Sequence, residues 1–279
     1  MSNVSEKEYD IGNAKIHTIT YGKGKPLLLI PAWPYSGRIY LVLKELLENH
    51  FKVTSLDLPG WSGESHFTKD TEPTVDTYIK IVRDTIHTIY PDNDSTSIGG
   101  VSFGGSLALL ASLDKTINIK KVIAISSPYN GSSIINAAPI LSSILCKTCE
   151  NGVGFTPLMV IHGVASLLLH TRHISNDLRV RLSKDYLALS PQTVGNFAYD
   201  FFRQDFETQL NSLTNETVIV GATNDHLVPS RTLKKLAEEV IPKAKYYEMD
   251  GANHSALANE KYATQLAGIL IQNHYNNYF

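Results

Sequence analysis

Apolar residues follow two periods along this chain, and segments of the two kinds alternate. Strand-like runs are predicted at 9–12, 15–21, 26–30, 51–56, 121–126, 217–221 and 245–249. Apolar residues at helical spacing predict helices at 39–47, 74–90, 230–240 and about 259–272. This alternation predicts an α/β fold, a doubly wound and mostly parallel sheet. In such sheets, the chemistry collects in the loops at the carboxyl ends of the strands.

The alternation stops between about residues 128 and 213. Four helical segments are predicted there, at 134–145, 157–169, 176–189 and 194–210, without a convincing strand among them. A helical insertion in an α/β sheet is most simply a cap over the carboxyl edge. The predicted domains are therefore a sheet core of 1–128 and 214–279 and a helical cap of 129–213. Many apolar residues in the cap predict a mostly apolar binding cleft.

Composition excludes several function classes. The 279 residues are 43% hydrophobic and carry a formal net charge of -2, without a basic block, so we expect no nucleic-acid surface. The first residues are polar and lack an apolar signal core. The most apolar run, 157–169, contains His162 and is too short to span a bilayer. We expect a soluble, cytoplasmic protein.

The two cysteines do not predict a metal site. Cys146 and Cys149 form a C-x-x-C pair without a second pair, so ordinary thiols are favoured over a zinc or redox site. The cap histidines His162, His170 and His173 are interpreted as core or surface residues, with substrate contact as the alternative. We predict no cofactor and no metal.

The most specific pattern lies at residues 100–104. Gly100-Val101-Ser102-Phe103-Gly104 reads G-x-S-x-G before an apolar helical run. A sharp strand-to-helix turn holds the serine in a strained conformation, so the residues two before and two after it need almost no side chain. The Ser102 hydroxyl then lies at a helix N-terminus, whose dipole favours developing negative charge. A plain turn serine is the alternative.

A serine nucleophile needs a base and an acid that orients the base. His254 directly follows a late strand, and Asp225 ends the strand before it. We therefore predict Ser102, His254 and Asp225 as nucleophile, base and acid. Asp250 is the alternative acid, and helix capping is the alternative role for Asp225. We interpret His226 as a partly exposed loop histidine.

The order Ser102, Asp225, His254 resembles that of the α/β-hydrolase superfamily, particularly its capped esterases, lipases and C–C hydrolases. The elbow at 100–104, the acid loop at 221–229 and the base loop at 251–255 match the family's motifs, and the resemblance covers the sheet-forming parts at both ends of the chain. The loop at 57–65 resembles another family loop with one extra residue, and we interpret it as structural.

The resemblance also implies an oxyanion hole made of two backbone N–H groups. One is the N–H of Phe103. The other belongs to the loop after residue 30, where relatives usually carry His-Gly and this chain has Pro31-Ala32. Proline has no N–H, so the predicted donor is Trp33, with Ala32 or Tyr35 as alternatives. The Trp33 indole is expected either in the wall of the pocket or in the core.

The function that the resemblance implies is hydrolysis of carboxylic esters through an acyl-enzyme on Ser102, and the apolar residues of the predicted cap favour esters of small apolar acids. The same site could instead support C–C bond hydrolysis, acyl transfer or lyase chemistry, because the fold hosts all of these. A third class is a ligand-binding protein that keeps the triad without turnover. The predicted partner is a small apolar ester.

Overall fold

The computed structural model describes residues 3–91, 96–135 and 175–275, and in these residues nine strands form one sheet. The strands are β1 Ser5–Asp10, β2 Ala14–Gly22, β3 Lys25–Ile30, β4 Phe51–Leu56, β5 His66–Phe67, β6 Thr96–Val101, β7 Ile119–Ile125, β8 Glu216–Ala222 and β9 Lys245–Met249. The helices are α1 Lys44–Leu47, α2 Val75–Ile89, α3 Phe103–Ala111, α4 Ser132–Ile135, α5 Asn176–Leu187, α6 Pro191–Phe202, α7 Glu207–Leu210, α8 Ser230–Lys235 and α9 Glu260–Tyr275. None of the helices in these ranges is long and apolar enough to cross a membrane.

The sheet is mixed but mostly parallel, as predicted. Its strand order is β1-β2-β4-β3-β6-β7-β8-β9, and the short strand β5 pairs with β2. The six strands from β4 to β9 along this order pair in parallel, whereas β1 and β2 pair antiparallel at one edge. The doubly wound α/β fold class is therefore confirmed. Strand β5 was not predicted, because two residues are too short to show a period.

Strand β3 explains why the central strands are continuously apolar. Leu28 and Ile30 belong to the hydrophobic cluster on one face of the sheet, whereas Leu27 and Leu29 belong to the cluster on the other face. Helices cover both faces, so both sets of alternating side chains are buried. The same double burial holds the carboxyl end of β3 rigidly beside the ends of β4 and β6.

Helix α2 forms where the apolar stripe predicted it. The Thr74 side chain caps it by accepting a hydrogen bond from the Thr77 N–H. The predicted stripe faces the core: Val75, Tyr78, Val82 and Ile86 are buried, and Ile79 and Ile89 are partly buried. By contrast, the helix predicted at 39–47 begins as a 3-10 turn over Gly37–Leu43 and becomes α-helical only at α1.

The described residues between β7 and β8 contain helices α4 to α7. The prediction of one helix over 194–210 is wrong, because α6 ends at Phe202 and α7 begins at Glu207. At this break, the Phe206 N–H donates to the Tyr129 carbonyl at 3.1 Å, a backbone contact that a continuous helix would preclude. The predicted helix at 157–169, most of the one at 134–145, both cysteines and the three cap histidines lie outside the described residues.

A buried histidine links the amino-terminal strands to the loop after β4. The His17 Nδ1 lies 2.7 Å from Asp57 Oδ2, and its Nε2 lies 3.1 Å from Glu6 Oε2. Burial opposes protonation of the ring, but the hydrogen bond and the charge of Asp57 outweigh it and raise the pKa of His17. The loop at 57–65 is thereby fixed to strand β2, which supports its structural interpretation.

We expect His17 to contribute a pH-dependent part of the stability. Its pKa is raised in the folded state, so this contribution is fully present below the unfolded-state pKa, about 6.5, and is lost as pH rises through the folded-state pKa. Urea unfolding of the wild type and His17→Gln at pH 5.5, 7.0 and 8.5 tests this. The difference in unfolding free energy should shrink as pH rises. A difference that stays constant or grows with pH would contradict it.

Candidate active site

Ser102 lies at the apex of a strained turn between β6 and α3. Its φ of 55° and ψ of -130° lie outside the regions that a residue with a side chain normally adopts. A Cβ at Gly104 would collide with the carbonyl oxygens of Ile30 and Pro31, and a Cβ at Gly100 would collide with the backbone of Gly104. The two glycines of the motif therefore allow the turn to pack against the end of β3.

Backbone hydrogen bonds and one tyrosine hold this turn. The Ser102 N–H donates to the Ile125 carbonyl at 2.8 Å. The Tyr40 hydroxyl accepts from the Val101 N–H at 3.1 Å and donates to the Ile30 carbonyl at 2.6 Å, so it bridges β6 and β3. Burial raises the pKa of Tyr40, which keeps the hydroxyl protonated as a donor.

Three of the predicted site residues are joined by hydrogen bonds. The Ser102 Oγ lies 3.0 Å from His254 Nε2, and His254 Nδ1 lies 2.8 Å from Asp225 Oδ2. Asp225 follows β8 and His254 follows β9, so the fold brings three strand ends of one sheet together. The sheet thereby brings His254 into contact with Ser102, 152 residues away in the sequence, and with Asp225, 29 residues away.

The Asp225 carboxylate is fully satisfied inside the protein. Its side chain has no exposed surface, and its Oδ1 accepts from the N–H groups of Leu227 and Val228, both at 2.9 Å. Burial favours the protonated acid, but the hydrogen bond and charge of His254, together with these two donors, lower the pKa of Asp225 below its usual value. A carboxylate at this position can accept a hydrogen bond from the Nδ1–H group of His254 and so direct Nε2 toward Ser102.

The alternatives for acid and base lie elsewhere. Asp250 is exposed, and its carboxylate accepts a long hydrogen bond of 3.5 Å from the Thr223 hydroxyl. His226 is an exposed loop residue. The acid that contacts His254 is therefore Asp225. Helix capping does not describe Asp225 either, since α8 begins at Ser230 with Pro229 at its N-cap.

The two predicted oxyanion donors lie on residues that touch one another. Phe103 is the first residue of α3, and the first N–H groups of a helix have no acceptor within it. The ring of Trp33 meets that of Phe103 edge to face, with centroids 5.6 Å apart. The Tyr35 N–H donates to the Ala32 carbonyl at 2.7 Å, which disfavours Tyr35 as a donor and leaves Trp33 and Ala32.

A largely apolar pocket adjoins His254. Its cavity volume is about 90 Å³, and it is partly open to solvent. Among the described residues, it is lined by Ala32, Trp33, Tyr35, Ile39, Val101, Ile125, Ser126, His254, Ser255, Ala256, Leu257, Ala258 and Leu266, a set without Lys, Arg, Asp or Glu. The Trp33 side chain thus belongs to the pocket wall. Within the same described ranges, no group of three or more His, Cys, Asp or Glu side chains is arranged to hold a metal ion.

Sequence reasoning missed two residues of this site. Tyr40 looks like any other core residue, because its apolar neighbours conceal the role of its hydroxyl. Ser126 directly follows β7, has a φ of 48° and lines the pocket, and its buried Oγ has no hydrogen-bond partner among the described residues. A positive φ at a serine carries no local sequence signal, so only the three-dimensional structure identifies it.

Part of the chain is similar in sequence to known proteins. A family model described as "alpha/beta hydrolase fold" matches residues 25–144. A pimeloyl-[acyl-carrier protein] methyl ester esterase from Pseudoalteromonas atlantica is 27% identical over 112 residues, which cover 40% of this chain and 41% of that protein. The chain thus spans about two fifths of the length of that curated relative.

Solved structures match over nearly the whole chain. A thermophilic esterase from Thermogutta terrifontis superposes with a TM-score of 0.73 at 17% identity, covering 97% of this chain and 99% of that one. An esterase from Exiguobacterium antarcticum gives a TM-score of 0.74 at 16% identity, covering 94% and 96%. Because these sequence identities are low, the structural similarity establishes the fold alone.

Proposed function

We propose that this protein is a serine hydrolase of the α/β-hydrolase superfamily, whose family model matches residues 25–144, and that it cleaves carboxylic esters of small apolar acids. The observation that carries the proposal is the hydrogen-bonded series from Ser102 through His254 to Asp225. The Ser102 hydroxyl, at one end of this series, lies on a strained turn beside an apolar pocket. The sequence similarity to a pimeloyl-[acyl-carrier protein] methyl ester esterase supports the same reaction class.

Acylation begins with Ser102. Its Oγ attacks the ester carbonyl while His254 Nε2 takes the hydroxyl proton, and the carbonyl oxygen becomes an oxyanion. Asp225 holds the Nδ1 proton, so Nε2 is the free base and the imidazolium that forms is stabilised. The tetrahedral intermediate then expels the alcohol, which receives the proton from His254. The acyl group remains on Ser102.

Deacylation repeats these steps with water. His254 removes a proton from a water molecule, which attacks the acyl carbon, and the second oxyanion collapses to release the acid. The proton returns from His254 to the Ser102 oxygen. Each turnover therefore consumes one ester and one water and yields one acid and one alcohol.

The N–H groups of Phe103 and Trp33 would stabilise the two oxyanions. Donors fixed before the reaction need no reorganisation as charge develops, and removal of one such donor from a serine hydrolase costs about 10²–10³ in kcat. The dipole of α3 acts in the same direction, because its N-terminus faces the developing charge. The contact between the Trp33 and Phe103 rings keeps the two donor residues together.

The substrate should be neutral and apolar. Charged groups are lacking among the described pocket residues, so a substrate carboxylate or phosphate would lose its hydration without gaining a partner. We further propose that residues 129–213 form the cap that bounds the acyl chain, and that the protein works in the cytoplasm.

The proposed role of Asp225 predicts a large loss of kcat in the variant Asp225→Asn. The amide would stabilise the wrong imidazole tautomer, and kcat should fall roughly 10⁴-fold while the fold persists. Steady-state kinetics on p-nitrophenyl butyrate, with circular dichroism of each variant, tests this. Asp250→Asn is the matched control and should retain kcat near that of the wild type. A large loss of kcat in Asp250→Asn together with a small loss in Asp225→Asn would show that Asp250, not Asp225, is the acid.

The apolar pocket predicts a rising and then falling chain-length profile. Each buried methylene contributes at most about 0.8 kcal/mol, which raises kcat/KM by up to roughly fourfold per carbon. The profile should fall once the pocket is full. The measurement is kcat/KM for p-nitrophenyl acetate, butyrate, hexanoate, octanoate and dodecanoate at one pH. A flat profile, or cleavage of a diketone without turnover of any ester, would favour C–C bond hydrolysis instead.

A further inference from the structure

The loop that carries the predicted Trp33 donor is held by helices from the insertion. The Trp33 indole N–H donates to the Val194 carbonyl in α6 at 3.1 Å. The Tyr35 ring contacts that of Tyr186 in α5, with centroids 5.6 Å apart. Because this loop has Pro31-Ala32 where relatives usually carry His-Gly, these contacts offer a different source of its rigidity.

A buried carboxylate of the insertion also contacts this loop. Asp185, in α5, is only 8% exposed, and its Oδ2 accepts from the Ser36 hydroxyl at 2.7 Å. The same oxygen lies 3.1 Å from Arg38 Nε, a charge contact rather than an aligned hydrogen bond. Both partners follow Trp33 by only a few residues. A carboxylate is costly to bury unless it is paired, so these partners determine where it lies.

Arg38 joins this carboxylate to the sheet core. Arg38 is 3% exposed, and the two remaining nitrogens of its guanidinium lie 2.7 Å from Glu6 and 3.1 Å from Glu64. On the opposite side of the loop, the Gly37 N–H donates to Asp57 at 2.5 Å. The segment after Trp33 therefore contacts both the loop at 57–65 and helix α5, and these contacts fix its position.

We propose that Asp185 is a positioning residue, which acts through Ser36 and Arg38 to hold the Trp33 N–H where it stabilises the oxyanion. The inference rests on the proposed function. Its physical basis is that oxyanion donors act only if they are fixed in advance, and that a misplacement of 1 Å can reduce the rate about 10²-fold. Helix α5 supplies no residue to the described lining of the pocket, so it would influence the chemistry through this loop.

Asp185→Asn tests the proposal. The amide keeps the size and one acceptor but loses the charge that pairs with Arg38, so kcat should fall about 10-fold to 100-fold while KM stays within about twofold. Asp177→Asn, an exposed aspartate of the same helix, is the matched control and should behave as the wild type. Active-site titration corrects each rate for the fraction of folded enzyme.

A second measurement separates positioning from plain destabilisation. A trifluoromethyl ketone forms a hemiketal oxyanion on the serine, so its inhibition constant reports on the oxyanion donors. This constant should rise in Asp185→Asn by a factor similar to the loss in kcat/KM. A variant that is only less stable would show fewer active sites but an unchanged inhibition constant, and this result would overturn the proposal.

Ser36→Ala covers the case in which Asp185→Asn does not fold. It removes the donor without changing charge, and about a fivefold loss in kcat with a parallel rise in the inhibition constant is expected. Unchanged values in Ser36→Ala would also overturn the proposal. If the wild type neither hydrolyses esters nor binds the ketone, the proposed function itself fails. If the wild type does both and Asp185→Asn matches Asp177→Asn, only the positioning role fails.

Discussion

The close approach of the Ser102 turn to the carboxyl end of β3 is the constraint on which the rest of the site depends. Gly104 packs against the carbonyl groups of Ile30 and Pro31 with no room for a side chain. This contact forces the unusual backbone of Ser102 and sets the start of α3 beside the loop at 31–37. Hydroxyl, helix N-terminus and the proposed oxyanion donors are thereby placed at one point.

The described helices between β7 and β8 are integrated with this site rather than laid over it. Phe197 and Phe201 of α6 contact the Phe103 ring, with centroids 5.4 and 4.6 Å away, and Phe197 also meets Trp61 of the sheet core. Aromatic pairs in such geometry add about 0.5–1.5 kcal/mol beyond the area they bury. A change in α6 is thus transmitted directly to the residue that follows the nucleophile.

The structural features that could be predicted from the sequence are those that depend on local patterns of residues. The alternation of strands and helices, the elbow at Ser102 and the strand-end positions of Asp225 and His254 all leave periodic or motif signals. The 3-10 turn at Gly37–Leu43 and the break before Glu207 leave none, because tertiary contacts of Tyr40 and Phe206 produce them. The ion pairs of Arg38 unite residues from distant segments, and composition cannot reveal such a group.

Covalent labelling is the direct test of the proposal that Ser102 is the activated nucleophile. The wild type is treated with a fluorophosphonate, digested, and the adduct is located by fragmentation mass spectrometry, with His254→Ala alongside. We expect one adduct, on Ser102, which forms much more slowly in His254→Ala because the base is gone. An adduct on any peptide that lacks Ser102, or equal labelling of the two proteins, would contradict it.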